Sequence, residues 1–581
     1  MGQFFKFLFA SCLGTILAFG AIILIILAIG LSQSDQAATK SNSFLRIVLD
    51  HPVSELTDNM EYSFSNSTRA VGVHDIIRLI SKAKTDPKIA GIVLNTPQVS
   101  MGPSTASLIR DAVLDFKTTD KPVYAYGDFY GQMGYYLSSA ADSVFMNPNG
   151  SIEIKGFGAV IPYYKELMDK VGVKMNIFYR GKYKSATEAY RRNDMSEENR
   201  LQYKAYLDHL RQNYFEEIAD ARNTTYEAIN DIANNSIVVI PDESISNNLV
   251  DKIIYKADFE SLLKERTGVK TSRLTRYTEL EDYLSANPLE ASKGANQIAI
   301  VYAEGGVMYD TDDNGTISET KYSKIFQRII KNEKIKAVIM RVNSPGGSSI
   351  SSDIIWDQIN KLKENGKYVA VSMGDYAASG GYYIACSADT IFADKNTLTG
   401  SIGVYMMYPE ISKLLQDKLE VGIDSVTTNK YTATNSFFMA LNPDETQKME
   451  NYTDYLYKQF LSRVAVSRGM TIEQVHEIAE GRIWTSKDAL TNRLIDEIGT
   501  LTETIVAVAD RLDLDTYTLA HYPKIEEDFM AAFFKGISQN VKMSDMKNKL
   551  ESKILEDMLQ QFNMSEEYKQ PMAKMEQILW F

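Results

Sequence analysis

One stretch of this chain occurs twice. GDFYGQMGYYLSSAADSVF (Gly127–Phe145) aligns without gaps on GDYAASGGYYIACSADTIF (Gly374–Phe392), sharing Gly-Asp, Gly-Tyr-Tyr and Ala-Asp positions at one constant offset. The segments upstream repeat in the same order. A strand-like IAGIVLN (Ile89–Asn95), a helically spaced SLIRDAVLDFK (Ser107–Lys117) and a strand-like KPVYAYG (Lys121–Gly127) are answered by IKAVIMRVN (Ile335–Asn343), SDIIWDQINKLKEN (Ser352–Asn365) and KYVAVSMG (Lys367–Gly374). Apolar runs alternating with helical stretches predict βαβ units and a largely parallel sheet. The spacing is far too long for a solenoid repeat, so two tandem α/β domains are expected, over 43–291 and 296–512.

The rest of the chain frames these domains. A length of 581 residues exceeds what one hydrophobic core supports. From Phe7 to Leu31 no charged residue occurs, and about 20 apolar residues suffice to span a bilayer as a helix. The run is longer than the ~7–15 residues of a cleaved signal's apolar region, so a retained anchor is expected over 7–31. It follows a short flank, 1–6, and precedes a polar linker, 32–42. Lys6 stands on one side and Lys40 and Arg46 on the other, which leaves its orientation open. A charged, amphipathic tail over 522–581 has no counterpart in the first half. The net charge of −13 argues against a nucleic-acid partner. Two cysteines, Cys12 and Cys386, and five scattered histidines supply no disulfide framework and no metal-ligand spacing.

The two copies differ where chemistry would sit. The second carries Ser379 where the first carries Gln132, and NSPGG (Asn343–Gly347) where the first has NTPQVS (Asn95–Ser100). The first has GKYKSAT (Gly181–Thr187) against NKYTAT (Asn429–Thr434), so Lys184 faces Thr432. Each half holds one candidate group that the other lacks, the pattern of one composite site shared between diverged copies. A serine hydroxyl needs a base to take its proton as it attacks. A lysine can serve if burial brings its pKa down by several units from about 10.4. Ser379 lies in Ala-Ala-Ser-Gly-Gly, whose small residues admit a substrate backbone, and the amides of Gly380, Gly346 and Gly347 are candidates for an oxyanion hole. No histidine neighbours Ser379 in sequence, although folding could bring His476 close. Asp128 and Asp375 occur in both halves and read as structural.

These residues resemble a known family. RVNSPGGS (Arg341–Ser348), VSMGDYAASGGYYIA (Val371–Ala385), TLTGSIGV (Thr397–Val404), YRGKYKSATEAYRR (Tyr179–Arg192) and GRIWTSKDALTNRLIDEIG (Gly481–Gly499) are similar to the long, duplicated form of the signal peptide peptidase A (protease IV) family. That family lies in the Clp protease/crotonase superfamily. The resemblance implies two Clp protease/crotonase-like (ββα-type) domains behind a transmembrane helix, with Ser379 as nucleophile and Lys184 as general base. It implies that Ser401 orients Lys184 and that Gly347, Gly380 and Gly346 form the oxyanion region. It further implies cleavage of remnant signal peptides and unfolded polypeptides, no metal, nucleotide or other cofactor, and a homotetramer. The anchor would sit in the bacterial inner membrane with the protease domains on the extracytoplasmic side. Two rival readings are a crotonase-like acyl-CoA enzyme, which needs an acidic base near the hole, and a catalytically inactive membrane scaffold.

Overall fold

A computed structural model describes residues 39–57, 71–268, 275–288, 296–434 and 436–524, and the backbone of 572–574. The flank 1–6 and the anchor expected over 7–31 lie outside the described residues, as do most of the linker 32–42 and of the tail 522–581. Among the described residues no helix is long and apolar enough to cross a membrane.

The first repeat contributes strands β1 (Ser43–Val48), β2 (Ile89–Asn95), β3 (Val123–Gly127), β4 (Ser143–Met146), β5 (Lys174–Arg180), β6 (Lys252–Ile253) and β7 (Tyr277–Glu279). All but β5 form one parallel sheet in the order β6-β4-β3-β2-β1-β7. Its central strands are buried on both faces, as crossover helices such as Val73–Thr85 and Pro103–Phe116 require.

The second repeat contributes β8 (Gln297–Glu304), β9 (Val307–Met308), β10 (Ile317–Ser318), β11 (Ile335–Ser344), β12 (Gly346–Ser348), β13 (Tyr368–Ala378), β14 (Thr390–Ala393), β15 (Leu398–Gly400), β16 (Val404–Glu410), β17 (Ile483–Thr485), β18 (Glu497–Ile498) and β19 (Thr518–Tyr522). Here β18-β14-β13-β11-β8-β19 reproduces the strand order of the first sheet, so the duplication is one of topology as well as sequence. The sheet runs beyond Leu512, where sequence similarity between the copies fades. β19 pairs with β8 as β7 pairs with β1, but short edge strands carry little pattern. Each repeat has its own apolar core.

A third sheet joins the repeats. Its order is β10-β9-β12-β20-β16-β5, with β20 being Met572–Lys574 from the tail. β5 runs antiparallel to β16 from Lys174 opposite Glu410 to Arg180 opposite Val404. Alternate residues of this seam are buried on opposite faces. Phe178, Met406 and Tyr408 pack with Phe437, Leu441 and Met449, while Tyr405, Met407 and Ala186 pack with Ile177 and Tyr179. The seam therefore delivers the first repeat's Lys184, four residues past the end of β5, to the second repeat.

Candidate active site

β13 is long enough to split. Ala370–Met373 pair with β14, and Tyr376–Ala378 pair with β15. Directly after it Ser379 stands at φ 56°, ψ −116°, ahead of the short helix Gly380–Ala385. A positive φ of this kind costs a non-glycine residue about 1–3 kcal/mol and persists only where its surroundings enforce it. They do so here. The Ser379 N–H donates to Gly400 O at 2.8 Å, its carbonyl accepts from Tyr383 N at 2.9 Å, and Thr399 Oγ1 donates to Ala377 O at 2.6 Å. Gly381 must be glycine, since a Cβ there would lie 2.6 Å from Ser344 O.

The Lys184 Nζ lies 2.7 Å from Ser379 Oγ and 3.0 Å from both the carbonyl oxygen and the hydroxyl of Ser401. All three residues are buried, at 1%, 0% and 2% exposure for Lys184, Ser379 and Ser401. Burial brings the Lys184 amine down from 10.5 to about 7, which leaves a large neutral fraction at neutral pH. A neutral amine has two N–H groups and one lone pair. Donation to the Ser401 carbonyl holds the amine in place while the lone pair is free to accept from the Ser379 hydroxyl. Sequence thus anticipates three residues that the structure brings into hydrogen-bonding reach of one another from three separate segments.

The positions that face them in the opposite repeat do other work. Gln132 Oε1 accepts from Lys155 N and Gly156 N at 2.7 and 2.8 Å, so it plugs a loop. Thr432 sits in an exposed turn. His476 lies against Tyr457 OH at 3.2 Å and reaches Glu480 at 3.8 Å. Asp375 accepts from Ser104 N, Thr105 N and Thr105 Oγ1 at 2.7, 3.1 and 2.7 Å, which ties it across the repeats to the start of the helix Pro103–Phe116. Asp128 bonds locally to Tyr126 OH and Asn147 Nδ2. Of the three expected oxyanion glycines, Gly346 already donates its N–H to Ser344 Oγ at 3.2 Å. Gly347 lies on β12, which packs against the helix Gly380–Ala385, and a Cβ on it would strike Val307 O at 2.0 Å. Gly380 opens that helix, where an N–H has no intrahelical acceptor.

Comparison with known proteins bears on this geometry. The profile of Peptidase family S49 matches residues 115–270 and 361–515, windows that contain Lys184 in the first and Ser379 and Ser401 in the second. Protease 4 of Haemophilus influenzae is 32% identical over 508 residues, covering 84% of this chain and 82% of that protein. The chain belongs to peptidase family S49. Protease 4 of Salmonella typhi is 32% identical over 483 residues (81% of this chain, 77% of the relative), and the chloroplastic serine protease SPPA of Arabidopsis thaliana is 32% identical over 441 (74% and 64%). The solved structure of a ClpP1 mutant from Listeria monocytogenes overlaps 35% of this chain and 92% of its own at 14% identity, with a TM-score of 0.22. That overlap is too slight to add to the fold. Membership in the family makes the protein a serine protease.

Sequence reading passed over the residues that hold this S49 site together. Gly481, at φ +77°, lies so close that a Cβ would be 2.6 Å from Lys184 N and 2.7 Å from its Cα. Its N–H donates to Ile402 O at 2.8 Å, and Ser401 N donates to Arg482 O at 2.7 Å, fastening the two loops around the amine. Gln202 donates to Tyr183 O at 3.1 Å and accepts from Ile483 N at 3.1 Å. The GRIWT segment carried a signal for Gly481, but its role depends on a contact that sequence does not express. Beneath the NSPGG loop, Arg341 is fully buried between Glu55 Oε2 at 3.0 Å and Asp394 Oδ2 at 2.9 Å. Burial pushes Glu55 upward, but Arg341 and His74 outweigh it and hold the carboxyl at about 2. At Asp394 burial prevails over Arg341 and raises the group to about 7. Glu55 comes from the first repeat, so this cluster clamps one repeat to the other behind the site.

Proposed function

We propose that this S49 protease is a membrane-anchored endopeptidase with a serine–lysine dyad that degrades remnant signal peptides and other short or unfolded polypeptides. The observation carrying the reading is the 2.7 Å approach of Lys184 Nζ to Ser379 Oγ in a buried setting where the amine is brought down to about 7. A peptide binds in extended form with a small or apolar side chain beside the Ser379 loop. Neutral Lys184 takes the hydroxyl proton as Ser379 attacks the carbonyl carbon, and the N–H groups of Gly347 and Gly380 hold the oxyanion. The lysine passes its proton to the leaving amine as the C–N bond breaks. It then activates the water that releases the acyl group. Ser401 keeps the amine aimed throughout.

Anchoring through 7–31, residence in the bacterial inner membrane with the domains extracytoplasmic, and assembly as a homotetramer are supported by the uncharged Phe7–Leu31 run and by the resemblance of the motifs to signal peptide peptidase A. The test is cleavage of casein and of a synthetic signal peptide by wild type, Ser379→Ala and Lys184→Ala. Loss of about 10³-fold or more in both variants is expected of groups that act as a unit. Full activity of Lys184→Ala would refute the reading.

A further inference from the structure

The helix Glu197–Ala221 belongs to the first repeat, yet one face of it is bonded to the second. Gln202, Tyr206, His209 and Asn213 follow one another at intervals of four, three and four, the spacing of a single helix face. Gln202 Oε1 accepts from Ile483 N at 3.1 Å, and its Nε2 donates to Tyr183 O at 3.1 Å. A turn further on, the Tyr206 hydroxyl donates to Asn396 O at 3.0 Å. His209 Nε2 donates to Lys395 O at 2.9 Å, and Asn213 Nδ2 to Asn396 Oδ1 at 2.8 Å.

The segments gripped in this way lead straight into the site. Tyr183 precedes Lys184. Ile483 follows Arg482, whose carbonyl accepts from Ser401 N at 2.7 Å. Asn396 stands two residues ahead of β15, whose last residue, Gly400, accepts from Ser379 N at 2.8 Å and is followed by Ser401. Tyr206 and Leu210 also pack with Ala378, Leu398 and Ile483. Apolar packing alone holds the helix down without fixing its register, because it has no direction. Bonds to individual carbonyls and amides do fix it. Gln202 and Tyr206 are 2% and 1% exposed, so breaking one of their bonds leaves a buried group without a partner.

We propose that Gln202 and Tyr206 are positioning residues, which set the approach of Lys184 to Ser379 by holding, from one helix, both the loop that carries the amine and the loop that leads to Ser401. The proposal rests on the reading of Ser379 and Lys184 as the dyad. A displacement of about 1 Å at a catalytic group costs about 10²-fold, so loosening one tie should cost about tenfold in kcat. Loosening also lets water reach the amine. Burial brings that amine from 10.5 to about 7, so its ionisation should move back upward.

The test compares wild type, Gln202→Met, Tyr206→Phe and Leu210→Ala by kcat and KM on a quenched fluorogenic peptide, from about pH 5.5 to 9.5. Gln202→Met and Tyr206→Phe should each lower kcat about tenfold with KM within about twofold. In both, the pH at which kcat/KM levels off should rise by about half a unit or more. Leu210→Ala removes packing from the same helix and none of its polar ties, so it should lower Tm and leave kcat and the pH profile in place. Wild-type kcat and pH profile in Tyr206→Phe, or the same upward shift in Leu210→Ala, overturns the proposal. Should Gln202→Met not fold, Tyr206→Phe decides the question, since it deletes one hydroxyl and keeps the ring in its apolar setting. The two readings fail separately. A wild-type profile without an ionisation near 7 defeats the dyad, whereas a profile that levels off there, alongside variants matching wild type, defeats only the positioning role.

Discussion

Replacing Lys184 with methionine should change how stability depends on pH. The amine is brought from 10.5 to about 7 by burial, and at ~1.36 kcal/mol per pH unit this amounts to about 5 kcal/mol between its charged and neutral forms in the folded protein. Below pH 7 both folded and unfolded chains hold the proton, and the folded state carries the full cost of a buried charge. Between about 7 and 10.5 the unfolded chain binds a proton that the folded chain does not. Wild-type stability therefore gains about 1.4 kcal/mol per pH unit across that window from this one group. Methionine has no such ionisation. It also deprives the Ser379 and Ser401 hydroxyls of a partner, a penalty of about 1–3 kcal/mol that is independent of pH. Urea unfolding of both proteins at half-unit steps from pH 6 to 9.5 isolates the effect, because every other titrating group cancels in the difference. The gap should widen in favour of wild type as pH rises through 7. Curves that stay parallel over the whole range would refute a buried amine of depressed pKa.

Other outcomes follow from the same contacts. Gly481→Ala should cost at least tenfold in kcat, since its Cβ would meet the Lys184 backbone at 2.6 Å and a 1 Å misplacement of a catalytic group costs about 10²-fold; peptide hydrolysis measures it. Ser401→Ala leaves the carbonyl at 3.0 Å to hold the amine, so kcat should fall about tenfold while KM stays within about twofold. Glu55→Ala takes one of two carboxylates from the buried Arg341, leaving Asp394 as its counter-charge, and should destabilise the fold by about 1–3 kcal/mol in chemical denaturation. Because the Glu55 carboxyl is held down from 4.5 to about 2, its contribution is present above pH 4.5 and is lost as pH falls toward 2. Acid unfolding of Glu55→Gln should lack that component.

The tandem organisation was legible because two long segments preserve a common pattern, and the strand orders β6-β4-β3-β2-β1-β7 and β18-β14-β13-β11-β8-β19 follow it. Ser379 and Lys184 stood out because each faces an unlike residue in the other copy, Gln132 or Thr432. What holds them was hidden for physical reasons. Gly481 and Gln202 act through backbone contacts made between segments far apart in sequence, and neither residue type signals that by itself. The Glu55–Arg341–Asp394 cluster draws on a loop with no periodicity, a strand and a strand-end turn. The three-residue β20 is too short to carry any alternation, and its place is fixed only by the two edges it fills. The third sheet is the general case: it is assembled from both repeats and the tail, so no local pattern announces it.

The most direct measurement is kcat/KM for a short peptide as a function of pH in the wild-type enzyme. Its logarithm should climb with unit slope and level off near pH 7, where the Lys184 amine becomes neutral. A flat profile, or an ionisation in the carboxylate range near 4–5, would mean that some other group takes the Ser379 proton.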